Sequence, residues 1–111
     1  MNWNYLTDSS QLIRLQQASE LTLIFKHSTR CSISNAVLNR LERNWNTEEM
    51  RGITPYFLDL LSYRNISDKI TGLFGVPHES PQALIIRNGK TIYHASHFEI
   101  QYEQLLKAVR S

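Results

Sequence analysis

The stretch Phe25-Lys26-His27-Ser28-Thr29-Arg30-Cys31-Ser32-Ile33-Ser34 holds the residues best suited to chemistry. Cys31 is the only cysteine in the chain. An apolar run precedes it and a helical period begins at it, so it stands where a strand ends and a helix starts. A cysteine there faces unpaired N–H groups and the positive end of the helix dipole, and both favour thiolate over thiol. Arg30 beside it, with Lys26 and His27 close in sequence, adds positive potential. The thiolate is the form that attacks disulfides, so Cys31 reads as a nucleophile. The alternative is an inert buried cysteine, a common fate for a free thiol; polar neighbours on both sides weigh against it. Cys31-Ser32-Ile33-Ser34 also has the spacing of a redox C-x-x-C motif with serine in the second position, a weak pattern that gains from its strand-before, helix-after context. Ser34, one helical turn on, either donates a hydrogen bond to the Cys31 sulfur or bonds backbone or water.

The elements that must position this stretch are readable from hydrophobic spacing. Thr7 and Asp8 open a first helix, with Gln11 three residues after Asp8 as in a loose capping box. Leu21-Thr22-Leu23-Ile24-Phe25 is nearly all apolar, as in a strand buried on both faces. From Cys31, Ile33, Val37 and Leu41 fall at i, i+4 and i+8 of a helix. Tyr56 to Leu61 forms the second strand, and Asn65 is expected to cap a third helix bearing Ile66, Ile70, Leu73 and Phe74, closed by Gly75. Ala83–Ile86 and Thr91–His94 are the third and fourth strands, joined through Asn88-Gly89, the pair that favours a type I′ hairpin turn. A last helix carries Phe98, Tyr102, Leu105, Leu106 and Val109, with Lys107 and Arg110 in its final turn suiting the negative end of the dipole. The first two strands alternate with helices and so run parallel, while the hairpin makes the last antiparallel. The expected architecture is α/β, a four-stranded mixed sheet with helices on both faces.

Composition bounds the function. With 111 residues, 41% hydrophobic and 20% charged, the chain suits one domain and has too much apolar content for disorder. Twelve basic against ten acidic residues give a net charge of +2, with the basic residues scattered rather than gathered in a stripe, so no nucleic-acid footprint is expected. No apolar run reaches the ~18 residues of a membrane span. A lone cysteine makes no internal disulfide, and the first residues lack the pattern of a secretory signal. Both lead to the expectation of a reducing cytoplasm. His94-x-x-His97 has the look of a ligand pair, but no third ligand supports it, and no metal site is expected.

The residues also carry a family resemblance. The run Leu21 to Ala36, with Leu-Ile-Phe-Lys-His-Ser-Thr-Arg-Cys-Ser-Ile-Ser within it, resembles the monothiol bacilliredoxins of the thioredoxin-like superfamily, as does Val76-Pro77-His78-Glu79-Ser80-Pro81-Gln82-Ala83-Leu84. The resemblance spans essentially the whole chain and implies a single thioredoxin-like domain over residues 1–111. It implies that Cys31 is catalytic, supported by Arg30, Ser34, Lys26 and His27. It further implies that Ser80-Pro81 is a cis-proline step facing the cysteine, where Ser80 backbone groups pair with a docked substrate; read without the resemblance, a trans bond is the ordinary state. His27 and His78 come within reach of Cys31 in such a fold and would tune it or simply pack. One departure stands out: Ser32 occupies the position where the family pattern usually has proline.

The expected activity is that of a monothiol thiol–disulfide oxidoreductase that removes a low-molecular-weight thiol, bacillithiol by resemblance, from S-thiolated client proteins. No tightly bound cofactor is expected; the small thiol is a co-substrate, and a monomer is expected. Two other classes compete. One is a redox-sensing or adaptor module without turnover. The other is an iron–sulfur carrier of the monothiol glutaredoxin kind, which the bulky Ile33 disfavours because that kind reads C-G-F-S.

Overall fold

The computed structural model describes all 111 residues. In chain order its elements are β1 (Asn4–Tyr5), α1 (Ser10–Gln17), β2 (Leu21–His27), α2 (Ser32–Asn44), β3 (Ile53–Asp59), α3 (Arg64–Phe74), β4 (Gln82–Arg87), β5 (Lys90–Ser96), a 3-10 turn (His97–Glu99) and α4 (Tyr102–Arg110). The sheet has the order β1-β3-β2-β4-β5. β2 pairs with β3 in parallel and with β4 antiparallel, and β4 with β5 antiparallel. It is a thioredoxin-like α/β fold.

The sheet has five strands rather than the four expected. β1 is two exposed residues paired in parallel with Tyr56 and Phe57 at the edge, too short to show any hydrophobic period. It is held by Trp3, whose ring lies 6.0 Å from that of Phe25 and 5.6 Å from that of Phe57, and whose Nε1 donates to Glu42 Oε2 at 2.9 Å.

Side-chain alternation along β2 divides the core. Leu23 and Phe25 pack with Val37 and Leu41 of α2 and Leu105 of α4. Ile24 points the other way and packs with Leu12 and Leu15 of α1 and Ile66 and Ile70 of α3. Both faces of the central strand are thus covered, which is why its sequence is nearly all apolar. Each such fully buried aliphatic side chain contributes about 1.5–3 kcal/mol.

The local signals hold with three shifts. Gln11 Oε1 accepts from the N–H groups of Thr7 and Asp8 at 2.8 and 3.0 Å, the capping-box reach, though the helix itself starts at Ser10. α3 begins at Arg64 after Tyr63, so Asn65 lies inside its first turn instead of capping it. Asp59 organises that entry: its carboxylate accepts from Leu61 N–H and Ser62 Oγ, and its carbonyl from Tyr63 N–H. Phe98 is outside the last helix, exposed in the 3-10 turn, because His97 takes a positive φ of 56° and Ile100 and Gln101 are extended. Gly75 closes α3 in the left-handed conformation, and Asn88 and Gly89 both have positive φ, as a type I′ turn requires.

Candidate functional site

β2 ends at His27, and the chain turns through Ser28, Thr29 and Arg30 before α2 starts at Ser32. Cys31 is the N-cap of α2, in extended conformation. Its N–H donates to the Ser28 carbonyl at 3.1 Å and its carbonyl accepts the first helical bond, from Asn35 N–H at 3.1 Å. Asn35 Nδ2 donates back to the Thr29 carbonyl. The turn is thereby tied at both ends, and the thiol is free and half-buried at its apex. Arg30 beside it is exposed.

Ser34 is buried, and its hydroxyl is occupied away from the sulfur. It accepts from Ser28 N–H at 3.1 Å and lies 2.7 Å from His27 Nδ1. With one lone pair taken by Ser28 N–H, the hydroxyl keeps a second lone pair and its own proton, and meets Nδ1 of the neutral ring as donor or acceptor according to the ring's tautomer. Burial lowers the pKa of His27 and favours this neutral form, against the smaller opposing effects of Asp59 and Glu42. Of the two roles open to Ser34, it takes that of a tie between strand and helix.

Lys26 and His27 were expected to act together around Cys31, and the structure separates them. Successive residues of a strand face opposite sides of the sheet, so His27 faces α2 while Lys26 faces α3. Lys26 is fully buried, its Nζ 3.3 Å from His78 Nδ1. The Ser67 hydroxyl lies 3.1 Å from the same nitrogen. Burial lowers the Lys26 pKa to about 8, helped by the positive charge of Arg64 and opposed by Asp68. His78 is lowered first by burial, then by Lys26 and Arg64, with Asp68 and Glu79 opposing. His78 is thus engaged on the α3 side rather than at the thiol. Ser67, His78 and Gln82 are site neighbours that sequence reasoning did not assemble. The alternation rule alone separates Lys26 from His27; the contacts to α3 and the 77–78 segment are long-range and have no local signal.

The Ser80–Pro81 peptide bond is cis. The register pairs Lys26 with Gln82, which sets Pro81 beside the end of β2, at the same end of the sheet as Cys31. Pro81 is buried, and its carbonyl accepts from His97 N–H at 3.0 Å. The backbone N–H and C=O of Ser80 take no part in the hydrogen bonds of the fold. His94 and His97 are both exposed, on β5 and in the turn after it. No helix is long and apolar enough to cross a membrane.

A free thiol at the N-cap of a helix, at the same end of the sheet as a segment with unused backbone groups, has the chemistry for thiol–disulfide exchange. The family model described as monothiol bacilliredoxin BrxC matches residues 4–105. A solved protein assigned as an oxidoreductase with a thioredoxin fold is 27% identical, with a TM-score of 0.80 over 94% of this chain and 90% of its own. The thioredoxins of Malassezia sympodialis and Trypanosoma brucei brucei are similar in fold, at TM-scores of 0.76 and 0.77 and identities of 15% and 16%, over 98% of this chain and 89% and 88% of theirs.

Proposed function

The chain belongs to the monothiol bacilliredoxin family, and from that premise we propose that it removes a low-molecular-weight thiol from S-thiolated proteins through Cys31. Its redox function follows from family and fold; the monothiol route and the identity of the small thiol are the proposal. The observation that carries it is the placement of a solitary cysteine at the N-cap of α2, at the same end of the sheet as the Ser80–Pro81 step.

The Cys31 thiolate attacks the small-thiol sulfur of the client's mixed disulfide. The bond between client and small thiol breaks, the client cysteine leaves as thiolate, and a new disulfide joins Cys31 to the small thiol. With no second cysteine in the chain, a second small thiol or another redox protein must attack this species. Attack by a small thiol releases the small-thiol disulfide, attack by a redox protein carries the small thiol onto that protein, and either restores the Cys31 thiolate. By the small-thiol route the client sulfur is reduced from disulfide to thiol, and the one incoming small thiol is oxidised into a disulfide with the small thiol taken from the client. Ser80 N–H and C=O serve the client backbone as an added strand. Bacillithiol is the small thiol that the family supports, used as a co-substrate with no tightly bound cofactor.

The test is release of bacillithiol or glutathione from a thiolated test protein. Release by the native chain and none by Cys31→Ser is the expected result. Equal release by the mutant, or none by either, overturns the reading.

A further inference from the structure

Lys26 is buried without a carboxylate partner, in neither ion pair of the fold. Burying an ammonium is costly, and a methionine would fill the same space without that cost. What the ammonium gains is one contact, to His78 Nδ1. Opposite Lys26 across the β2–β4 ladder stands Gln82, also buried. Its Nε2 donates to the Pro77 carbonyl at 3.0 Å. Two side chains that are neighbours on the sheet therefore hold two consecutive residues, Pro77 and His78, while Ser67 of α3 holds His78 from the helix side. Two residues further on lies Ser80, whose backbone is unused.

We infer that Lys26, Gln82 and Ser67 form a buried clamp on Pro77–His78 that positions the Ser80 backbone for a protein client. This rests on the function proposed above and adds a residue set for recognising the client chain, separate from the thiol chemistry of Cys31. The contact needs a charged Lys26 donating to a neutral His78 ring. The charges facing the pair are Arg64 and Asp68 of α3 and Glu79 of the same segment. Protonating the ring sets two cations against each other and opens the clamp.

The experiment compares two substrates for the native chain, Lys26→Met and His78→Leu. One is a peptide of about ten residues carrying a bacillithiol mixed disulfide. The other is the bacillithiol–cysteine mixed disulfide, which has no flanking backbone. The clamp predicts that each variant raises KM for the peptide about tenfold, the equivalent of one good hydrogen bond, with kcat for the peptide and kcat/KM for the small disulfide held near native. Histidine ring 15N spectra should also show His78 titrating higher in Lys26→Met, since the neighbouring cation is gone. Unchanged peptide KM, or an equal loss on both substrates, overturns the clamp while leaving the Cys31 reading in place. A native chain inactive on both substrates overturns the Cys31 reading and the clamp's role with it.

Discussion

The Ser34 hydroxyl lies 2.7 Å from His27 Nδ1, and this contact joins the last residue of β2 to the first turn of α2. Ser28 N–H completes the tie from the intervening turn. Cys31 sits on the loop that this triangle closes. A chain that needs its thiol at a fixed point past the end of the central strand thus commits the fourth residue of its C-x-x-S motif to the turn that carries the sulfur.

Ser34→Ala removes the hydroxyl that His27 and Ser28 share and leaves two polar groups in or near the core without a partner. A loss of about 1–3 kcal/mol of stability is expected, read from urea unfolding. Dethiolation should slow as well, because the loop that holds Cys31 loses its inner tie. Unfolding curves that superimpose on the native ones would remove this account of Ser34.

His27 and His78 are both held below the ordinary histidine pKa, chiefly by burial. The folded state therefore prefers neutral rings, and at mildly acidic pH the unfolded chain binds more protons. Stability is complete above about pH 6.5, the unfolded value, and falls as pH drops below it. His27→Gln, which keeps a polar partner for Ser34, should flatten part of that slope in unfolding experiments between pH 7 and 5.

Lys26 predicts a second slope in the opposite part of the range. Its folded pKa of about 8 lies below the ordinary 10.5. Between those values the unfolded chain binds the extra proton, so stability rises with pH there and the burial penalty is full below about pH 8. That penalty is on the order of 3 kcal/mol, reduced by the contact to His78. Lys26→Met is expected to be more stable than the native chain at pH 7 and to lose the advantage near pH 10. Parallel stability profiles across that interval would show that Lys26 carries no such penalty. A variant that is more stable yet recognises peptides less well would mark Lys26 as retained for function.

How much of this was legible beforehand differs by length scale. The apolar run of β2, the i, i+4, i+8 spacing of Ile33, Val37 and Leu41, and Asn88-Gly89 each express a local rule, and each element formed where it was read. β1 has only two residues, and its pairing with Tyr56 and Phe57 is decided by Trp3 packing from outside the strand. Asn65 has a capping side chain, but Asp59 orders the entry to α3, and the helix starts two residues earlier, with Tyr63 at the cap. Cys31 could be singled out because its isolation and its strand-to-helix context are both linear facts. The clamp could not, since Lys26, Ser67, His78 and Gln82 are brought together only by sheet register and helix packing.

Gly89 tests the hairpin's seat on α1. Its φ is 75°, and a Cβ there would collide with the Gln16 carbonyl oxygen at the end of α1. Gly89→Ala meets both a strained backbone and backbone atoms that cannot swing aside. A loss of more than about 1 kcal/mol is expected, seen as a lowered urea midpoint, with Cys31 alkylation unaffected in the folded protein.

Ser32 is where the chain departs from its family's usual proline, and the geometry allows that proline. Ser32 is the first residue of α2, and its N–H enters none of the backbone hydrogen bonds. Proline is favoured at such a position because its missing donor has no helical partner and its fixed φ suits the helix. The residue before a proline must be extended, and Cys31 already is, at φ −104° and ψ 118°. Ser32→Pro should therefore fold and gain roughly 0.4–1 kcal/mol, by restricting the unfolded chain. The change also removes one N–H from the group at the helix end next to the sulfur. Alkylation of Cys31 by iodoacetamide, followed against pH in both forms, reads whether that N–H serves the thiolate. If the fold gains stability and the alkylation profile stays in place, Ser32 is a neutral exchange. A profile moved to higher pH shows that the chain gave up a proline to keep a donor at its only cysteine.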